Sequence, residues 1–510
     1  MLKDLLLGID IGTSSVKGLV CDVDGHVVAQ ALREHALHAP RPGWAEESPT
    51  DWWTNVIGVI RDCLADPHVT PKRIAAVGAT GMVPTVILLD ENGTPLRPSI
   101  QQNDARATEE IEALNATLDP RAIFEMTGAA LSQQSVSPKL RWLQRHEPET
   151  WAQTHHIVGS YSYIAARLTG VVTTEINWAL ESGLYDLTAG QWAPELLESA
   201  HVSNEQLPPV HRPTDVIGAV TQRAAEETGL IAGTPVVAGT ADHVGAALAA
   251  GIREDGDLLV KYGSAGDILY SSKELVLDPR LYIDYHDMPG TYLLNGCMAS
   301  SGSLIKWFAQ QFCSEDVEDA NAAGENIYTY LDAQAAALPA GSEGVVVLPY
   351  FLGEKTPVLD PRARGVIFGL TLFHTRYHVY RAVLEAVTFG FRHHIEVLEE
   401  NDCQVQRVVA GGNGARSRLW RQITADVLNQ PIASLTQHPG AALAAAFVAG
   451  MGVGAFNDWS EIERFIELAD IVEPDPAHRA VYDETFAIYR ELYNRLKPTF
   501  RRIPTSRATQ

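Results

Sequence analysis

The chain contains few cysteines, and their spacing argues against two common kinds of site. Five cysteines are scattered through 510 residues, at Cys21, Cys63, Cys297, Cys313 and Cys403. No two of them form a Cys-x-x-Cys pair, so the sequence favours neither a zinc site nor a disulfide framework. We therefore expect ordinary buried or surface thiols.

Positive charge and long apolar runs are also scarce. Lysine and arginine number 39 against 63 aspartates and glutamates, which gives a formal net charge of −24. This excess of negative charge argues against nucleic acid or an anionic membrane as a partner. Apolar stretches such as Gly440–Gly454 are shorter than the roughly 18 residues that a membrane span needs. The N-terminal residues lack the layout of a signal peptide, so a soluble, cytoplasmic protein is expected.

The remaining composition is typical of a globular protein. Hydrophobic residues make up 46% of the chain and charged residues 20%. At roughly 100–200 residues per domain, the length predicts two to four domains. The second half alternates strand-like and helix-like segments, at Gly344–Pro349, His378–Glu399, Arg407–Ala410, Ser417–Leu428 and Ala441–Gly450. Alternation of this kind favours an α/β architecture.

The first 65 residues predict a hairpin followed by a helix. The apolar run Leu5–Gly12 and the alternating run Ser15–Val23 predict two strands. Asp24-Gly25 predicts a hairpin turn that leads into a third strand. A helix is predicted from about Asp51 to Ala65, with Thr50 as its N-cap.

The turn after the first strand, Asp10 to Lys17, combines groups that suit a phosphate. Gly12 allows the backbone to approach a ligand, and the hydroxyls of Thr13 and Ser14 add donors. Asp10 stands at the strand end, where a carboxylate can hold hydrated Mg²⁺. The same residue types also occur in ordinary hairpins, so both interpretations stay open for this turn alone. It matches neither the P-loop nor the dinucleotide fingerprint.

A second candidate is the segment Gly239–Gly245, where a strand runs into a small-residue helix. Asp242 lies near the start of that helix. An aspartate there can accept the proton of a substrate hydroxyl that attacks a phosphoryl group, or it can simply cap the helix. The neighbouring His243 is expected to be structural rather than a base.

Two glycine-rich turns follow in the second half. Gly263–Gly266 mirrors the first turn, which suggests two related domains with a boundary near residue 245. Gly411–Ser417 follows a strand with three glycines and an asparagine. Such a turn lets a flat base or ribose lie against the backbone.

Taken in this order, these segments resemble the FGGY family of carbohydrate kinases, in the sugar kinase, heat-shock ATPase and actin superfamily. The resemblance runs from Leu5 to about Pro498. Its most specific motif is Gly365–Leu370 followed, after seven residues, by His378–Glu385.

Three further segments are similar to the family, namely Pro42–Pro49, Ser135–Leu143 and Leu348–Pro357. They depart from its pattern at two positions: Val136 stands where Ser, Thr or Pro is usual, and Lys355 where Arg is common.

Within the family, the chain resembles the pentulose kinases of the xylulokinase group. Pro98–Arg106 looks like their sugar-site segment, but Gln102 replaces the usual tryptophan. Thr80–Pro84 resembles their Gln-Met-His loop, but Gly81 replaces the glutamine and Val83 the histidine. Both departures fall where the sugar is expected, so the identity of the sugar is less firmly indicated than kinase activity.

The resemblance implies an α/β protein of two ribonuclease-H-like domains around a central cleft that closes over the substrates. Residues 1–245 would bind the sugar and residues 246–500 the adenosine. The implied reaction is ATP-dependent phosphorylation of a small sugar hydroxyl, with a ketopentose such as D-xylulose expected first. The alternatives are an FGGY kinase for ribulose, gluconate or a four-carbon polyol, and a non-catalytic ATP-binding module. A homodimer is possible.

The resemblance also assigns roles to particular residues. Asp242 would be the catalytic base and contact the sugar, and Asp10 would bind Mg²⁺. The groups expected to hold ATP are Thr13, Ser14, Lys17, Gly263, Ser264, Gly411, Gly412, Asn413 and Gly414. Those expected to line the sugar pocket are Met82, Val83, Gln102 and Asp104.

Overall fold

The computed structural model describes residues 3–436 and 440–503, and this part of the chain divides into two units. The first unit contains the described residues of Met1–Arg253, Ile283–Tyr292 and Pro439–Ile466. The second contains the described residues of Glu254–Tyr282, Leu293–His438 and Glu467–Gln510. The assignment of sugar binding to residues 1–245 and adenosine binding to 246–500 stays a prediction.

Strands and helices alternate along both units, which confirms the predicted α/β architecture. The strands of the described residues are β1 (Leu5–Ile11), β2 (Ser15–Asp22), β3 (Val27–Glu34), β4 (Glu46–Glu47), β5 (Ile74–Gly81), β6 (Ile87–Leu89), β7 (Ser99–Ile100), β8 (His156–Val158), β9 (Thr174–Glu175), β10 (Tyr185–Asp186), β11 (Gln191–Trp192), β12 (Val210–His211), β13 (Val216–Ala219), β14 (Pro235–Val237), β15 (Thr240–Ala241), β16 (Asp257–Tyr262), β17 (Gly266–Ser272), β18 (Tyr282–Tyr285), β19 (Tyr292–Met298), β20 (Val346–Leu348), β21 (Val366–Phe368), β22 (Arg407–Gly411), β23 (Ile432–Leu435) and β24 (Leu468–Val472).

The α-helices of the same residues are α1 (Pro49–Leu64), α2 (Thr108–Thr117), α3 (Pro120–Thr127), α4 (Val136–His146), α5 (Pro148–Ala152), α6 (Ser160–Thr169), α7 (Ile176–Glu181), α8 (Pro194–Ala200), α9 (Gln222–Thr228), α10 (Asp242–Ala249), α11 (Gly302–Phe312), α12 (Ser314–Ala323), α13 (Ile327–Ala336), α14 (Arg376–Glu400), α15 (Arg418–Leu428), α16 (Ala441–Gly452) and α17 (Arg479–Phe500). Short 3₁₀ turns lie at Pro71–Arg73, Asn204–Gln206, Ser342–Gly344, Asn413–Arg416, Trp459–Phe465 and Pro476–His478. Among the described helices, none has both the length and the apolar character that crossing a membrane requires.

The central sheet of the first unit has the order β13-β14-β5-β1-β2-β3, with β15 also paired to β5. Strand β1 is antiparallel to β2 and parallel to β5, and β15 is parallel to β5. The predicted hairpin of β1 and β2 is therefore present. Because β1, β5 and β15 run in the same direction, their carboxyl ends lie at one edge of the sheet, where α/β proteins commonly bind ligands.

The start of α1 differs from the prediction. Thr50 was expected to be the N-cap, but the N-cap is Ser48, whose hydroxyl accepts the backbone N–H of Asp51 at 3.2 Å. Pro49 explains the shift, because its fixed φ and missing N–H suit the first helical position. Thr50 therefore lies inside the first turn.

Helix α16 packs directly on the backbone of the central sheet. It lies against β1 and β5, and its residues Ala441–Gly450 are all buried. A Cβ atom at Gly8 would overlap the carbonyl oxygen of Ala442, and one at Gly78 would overlap that of Ala445. The alanine-rich helix and the two strand glycines therefore fit together as a close-packed, backbone-to-backbone contact.

The second unit repeats the arrangement of the first. Its sheet includes the order β19-β17-β16-β22-β23-β24. Strand β16 is antiparallel to β17 and parallel to β22, as β1 is to β2 and β5. Both units thus place a hairpin beside a parallel strand, which agrees with the internal similarity in the sequence.

We predict that Gly8→Ala lowers the free energy of unfolding of the first unit by about 3 kcal/mol, the upper range for overpacking a core. The new methyl group meets helix backbone, which has no rotamer to move into. Chemical denaturation followed by tryptophan fluorescence measures the change. The control is Gly93→Ala, where nothing lies within 4 Å but φ is +74°, so only about 1–2 kcal/mol of backbone strain is expected. Equal losses in the two variants would contradict the prediction.

Candidate functional site

Three neighbouring strands of the first unit bring the candidate residues to one edge of its sheet. Asp10 on β1 lies in register with Thr80 on β5, and Thr80 lies in register with Thr240 on β15. The Met82–Val83 loop directly follows β5, and Asp242 directly follows β15. The strand order therefore gathers predicted metal-binding, sugar-binding and catalytic residues at adjacent strand ends.

The turn between β1 and β2 presents its hydroxyl groups to solvent. The backbone N–H of Gly12 donates to the carbonyl of Ser15 at 3.0 Å and closes the turn. Thr13 and Ser14, at its tip, are exposed. Beneath the tip, the ammonium group of the exposed Lys17 lies 4.0 Å from the buried carboxylate of Asp10. Such a turn suits a phosphate group, and an aspartate oxygen is a ligand that Mg²⁺ prefers.

Asp242 is the first residue of α10, and it is not the residue that caps the helix. The N-cap is Ala241, without a capping side chain. One carboxylate oxygen of Asp242 accepts the backbone N–H of His243 at 2.7 Å. The side chain is 38% exposed, so much of the carboxylate is accessible to a substrate. Asp242 is therefore not the N-cap itself, and its catalytic role stays a prediction.

His243 lies between two carboxylates. Its Nε2 donates a hydrogen bond of 2.9 Å to Oδ2 of Asp284, and its Nδ1 lies 3.5 Å from Oδ1 of Asp242. Burial by itself would lower the pKa of His243, but the charge of Asp284 and the hydrogen bonds to Asp242 and Asp284 raise it well above its ordinary value. The expectation that His243 is not the base is consistent with an imidazole held in its charged form.

Further buried acids surround this pair. Polar atoms of Glu181, His243 and Asp284 lie within 4.8 Å of one another. Such spacing can surround a cation, but the hydrogen bond to Asp284 already pairs the imidazole. Burial raises the pKa of Glu181 well above its ordinary value. Burial also raises the pKa of Asp287 to about 7, although a hydrogen bond from Thr240 lowers it. Glu181 therefore tends to carry a proton at neutral pH, and Asp287 titrates in that range.

The predicted sugar loop after β5 is held in place by the first unit. Met82 and Val83 are both buried, with exposures of 1% and 3%. The backbone N–H of Met82 donates to Ile11 at the end of β1 at 3.1 Å, and the hydroxyl of Ser160 donates to the carbonyl of Met82 at 2.9 Å. The loop is thus tied to the same strand that carries Asp10.

Asp104, a predicted sugar contact, is fully paired within the protein. One oxygen accepts the backbone N–H of Ala45 at 2.6 Å, and the two oxygens form a bidentate pair with Arg106 at 2.8 and 2.7 Å. The guanidinium of Arg106 also contacts Glu46 at 2.7 Å and lies 3.8 Å from the ring of Trp44. Asp104 therefore joins two family motifs, Pro42–Pro49 and Pro98–Arg106.

A buried lysine supports the segment that carries Gln102. The side chain of Gln102 is half-buried. The ammonium group of Lys139 donates hydrogen bonds to two backbone carbonyls, that of Gln102 at 3.3 Å and that of Gln101 at 3.0 Å. Burial lowers the pKa of Lys139 to about 7. This contact fixes the backbone of the segment and leaves the Gln102 side chain available.

In the second unit, the turn between β16 and β17 resembles that between β1 and β2. Lys261 and Asp267 form a similar cross-strand ion pair, at 3.8 Å, with the acid and the lysine exchanged between the two strands. The tip residue Ser264 is exposed. The carbonyl of Ser264 accepts the backbone N–H groups of Ser301 and Ser303 at 3.0 and 3.1 Å. Gly263 and Ser264 are therefore held against the start of α11.

The glycine-rich turn after β22 lies at the end of β16. Lys261 of β16 and Gly411 of β22 are in register. Gly412 has a φ of +82°, and a Cβ there would lie 2.8 Å from the carbonyl oxygen of Tyr262. A Cβ at Gly414 would lie 2.7 Å from Tyr262. Packing against Tyr262 therefore requires these glycines, and with Asn413 they bring a bare backbone turn beside the Gly263–Ser264 turn.

Four residues that matter in the first unit were not assigned a role from the sequence, namely Glu181, Asp284, Lys139 and Arg106. Lys139 and Arg106 lie inside the segments Ser135–Leu143 and Pro98–Arg106 that resemble the family, and this was the available signal. Glu181 and Asp284 lie in no motif. They reach His243 through contacts between distant parts of the chain.

Comparison with known proteins identifies the family. The model of the N-terminal domain of the FGGY family of carbohydrate kinases matches residues 5–249, and that of its C-terminal domain matches residues 260–453. The xylulose kinase of Escherichia coli strain K12 is 30% identical over 497 residues, which covers 97% of this chain and 99% of that protein.

Solved structures show the same fold. The crystal structure of xylulose kinase from Rhodospirillum rubrum has a TM-score of 0.92 at 44% identity, covering 98% of this chain and all of that chain. Gluconate kinase from Lactobacillus acidophilus has a TM-score of 0.90 at 26% identity, covering 98% and 99%. Because the two family models together span most of its length, the chain belongs to the FGGY family of carbohydrate kinases, and it is a two-domain α/β enzyme that phosphorylates a sugar with ATP.

Proposed function

We propose that the sugar is a ketopentose, with D-xylulose as the first candidate, and that the phosphoryl group passes from ATP to one of its hydroxyls. The observation that carries the substrate proposal is the full-length similarity to xylulose kinases, at 44% identity to the Rhodospirillum rubrum structure. The gluconate kinase is less similar, at 26%.

Asp242 is proposed as the base of this reaction. Its carboxylate takes the proton of the sugar hydroxyl while the hydroxyl oxygen attacks the γ-phosphorus, and the bond from that phosphorus to ADP breaks. The support is its place at the start of α10, beside the ends of β1 and β5, with a partly exposed carboxylate. ADP leaves with the electron pair of the broken bond.

The remaining assignments follow the strand ends. Asp10 is proposed to hold Mg²⁺, which would neutralise phosphate charge when bound. Backbone and hydroxyl groups of the two hairpin turns and the glycine turn are proposed to hold ATP: Thr13, Ser14, Lys17, Gly263, Ser264, Gly411, Gly412, Asn413 and Gly414. The sugar pocket is proposed to contain Met82, Val83, Gln102 and Asp104. The proposed role of Asp104 there is to hold Arg106 in place. A homodimer and a cytoplasmic location stay predictions.

A different sugar is the main alternative, and two observations favour keeping it. The chain is 28% identical to the L-xylulose/3-keto-L-gulonate kinase of Escherichia coli. The proposed pocket also carries Gln102 and Val83 in place of the ring side chains of the xylulokinase pattern. A non-catalytic ATP-binding module is less well supported, because both Asp10 and Asp242 are present at the strand ends.

The proposal is tested by measuring ADP release with a panel of ketopentoses, gluconate and four-carbon polyols. We expect sugar-dependent release with D-xylulose preferred, and a loss of about 10²–10⁴-fold in turnover for Asp242→Asn, the usual contribution of a general base. Asp24→Asn, an exposed aspartate in the β2–β3 turn, is the control. Turnover of Asp242→Asn within tenfold of wild type would exclude Asp242 as the base. A preference for another panel member would reject D-xylulose.

We predict that Asp10→Asn raises the Mg²⁺ concentration needed for half-maximal activity by about tenfold or more, because it removes an anionic oxygen ligand. The affinity for ADP in metal-free buffer should change little. The matched control is Asp22→Asn at the opposite end of the same hairpin. A Mg²⁺ titration that coincides with that of wild type would make Asp10 a structural carboxylate.

We predict that Gln102→Ala changes which sugar is preferred more than it changes the sugar-independent ATPase rate. A sugar that uses the amide should lose about 1–3 kcal/mol of transition-state binding, whereas a sugar that does not should lose little. The measurement is kcat/KM for D-xylulose, D-ribulose and the best panel member, with Gln30→Ala on the exposed face of β3 as the control. A uniform loss for every sugar would remove Gln102 from the pocket.

A further inference from the structure

The imidazole of His243 links the proposed base to a buried carboxylate on a different part of the chain. Asp242 and His243 begin α10, whereas Asp284 lies on β18, about 40 residues later. The Asp284 side chain is only 3% exposed, and His243 is 24% exposed. The hydrogen bond from Nε2 to Asp284 is 2.9 Å, and Nδ1 faces Oδ1 of Asp242 at 3.5 Å.

Four acidic side chains interact with the imidazole. Asp242 comes from the same helix, Glu181 from the end of α7, Asp284 from β18 and Asp287 from the turn after it. Burial raises the pKa of Glu181 well above its ordinary value and that of Asp287 to about 7. The carboxylates of Asp284 and Asp242 lie nearest the ring nitrogens, one on each side of the ring, at 2.9 and 3.5 Å.

The protonation state of the ring decides whether it attracts or repels the base. A neutral imidazole that donates Nε2–H to Asp284 turns the lone pair of Nδ1 towards Oδ1 of Asp242, which is unfavourable. An imidazolium turns an N–H towards the same oxygen, which is favourable. The charged ring therefore gives Oδ1 of Asp242 a second donor, beside the backbone N–H of His243 that already donates to it at 2.7 Å.

We propose that Asp284 is a positioning residue of the kinase: by pairing with Nε2 it keeps His243 as an imidazolium, whose Nδ1–H orients the carboxylate of Asp242. The proposal rests on the role of Asp242 as the base. Asp284 itself does not contact the substrates in this scheme, and it acts through His243.

The proposal fixes the direction of a pH effect. The raised pKa of His243 means that the imidazolium is present at acidic and neutral pH and is lost as the pH rises through that value. Activity that depends on the imidazolium is lost over the same range. Removing the charge of Asp284 lowers the pKa of His243, so activity should then be lost at a lower pH.

The kinetic test compares kcat against pH for wild type, Asp284→Asn and Glu181→Gln. Asparagine has nearly the same shape as aspartate, and its side-chain oxygen can still accept a hydrogen bond from Nε2 of His243, but it carries no charge. We expect the basic limb of Asp284→Asn to move to lower pH by about 1–3 pH units, the usual effect of an adjacent opposite charge. The profiles should converge at the acidic end, where both rings are protonated. The KM for ATP should not change.

Glu181→Gln is the matched control, because glutamine mimics the protonated form of a neighbouring buried acid. Its basic limb should move less than that of Asp284→Asn, because the charge of Glu181 contributes less than that of Asp284 to the raised pKa of His243. His243→Gln should lower kcat at every pH and lack this basic limb, and the double variant with Asp284→Asn should behave like His243→Gln alone. Independent, additive losses would contradict an action through His243.

A spectroscopic measurement separates this inference from the proposed function. In protein labelled with ¹³C at Cε1 of histidine, the signal missing from His243→Gln identifies His243, and its titration is followed in metal-free buffer without substrates. Wild-type His243 should titrate well above pH 6.5, the ordinary value, and Asp284→Asn should titrate lower.

The outcomes are distinguishable. The inference is overturned if His243 of the wild-type protein titrates at or below pH 6.5. It is also overturned if Asp284→Asn leaves the titration of His243 or the basic limb of kcat unchanged, or if Glu181→Gln shifts them as much as Asp284→Asn does. If no sugar is phosphorylated at all, the proposed function fails, and the titration alone decides whether Asp284 holds the imidazolium.

Discussion

The contact between α16 and the strands β1 and β5 determines where the site residues of the first unit can lie. Because Gly8 and Gly78 bring sheet backbone against helix backbone, neither strand can slide or tilt without breaking the packing of the alanine helix. Helix α10 packs on the same helix, with Gly245 close to Ala444. The two strands and α10 thus share one rigid support. The positions of Asp10, the Met82 loop and Asp242 depend on it, although no residue of α16 is proposed to contact a substrate.

A cluster of buried acids lies near His243 in the first unit. Unpaired buried carboxylates are expensive, so a cluster persists only if its members are protonated, paired or hydrogen-bonded. All three solutions occur here: Glu181 is shifted towards its neutral form, Asp284 is paired with His243, and Glu175 accepts the hydroxyl of Tyr161 and the backbone N–H of Asn177. The carboxylate of Asp242, the proposed base, is 38% exposed. The imidazole of His243 lies 3.5 Å from it.

Local sequence was sufficient for features that depend on neighbours in the chain. The hairpin of β1 and β2, the position of Asp242 at a helix start and the glycine turns all follow from residue types within a few positions. The predicted N-cap of α1 was wrong because serine and threonine are both good N-cap residues, and only the geometry of Pro49 decides between Ser48 and Thr50. Asp284, Lys139 and the pairing of Asp104 with Arg106 depend on contacts between distant segments, which no local pattern encodes. The return of residues 440–466 to the first unit has the same origin.

These long-range contacts also suggest why sugar preference can change within an otherwise constant frame. Lys139 binds the carbonyl groups of Gln101 and Gln102, and Asp104 is locked to Arg106 and Ala45, so the backbone of the segment is fixed by atoms that do not belong to the side chain at position 102. We therefore expect a replacement of tryptophan by glutamine at this position to leave the segment where it is and to change only what faces the proposed sugar pocket. The proposed base, in contrast, follows β15 and lies beside His243, on a separate part of the unit. With these proposed assignments, substrate choice and phosphoryl transfer rest on different sets of contacts, and one can change while the other is maintained.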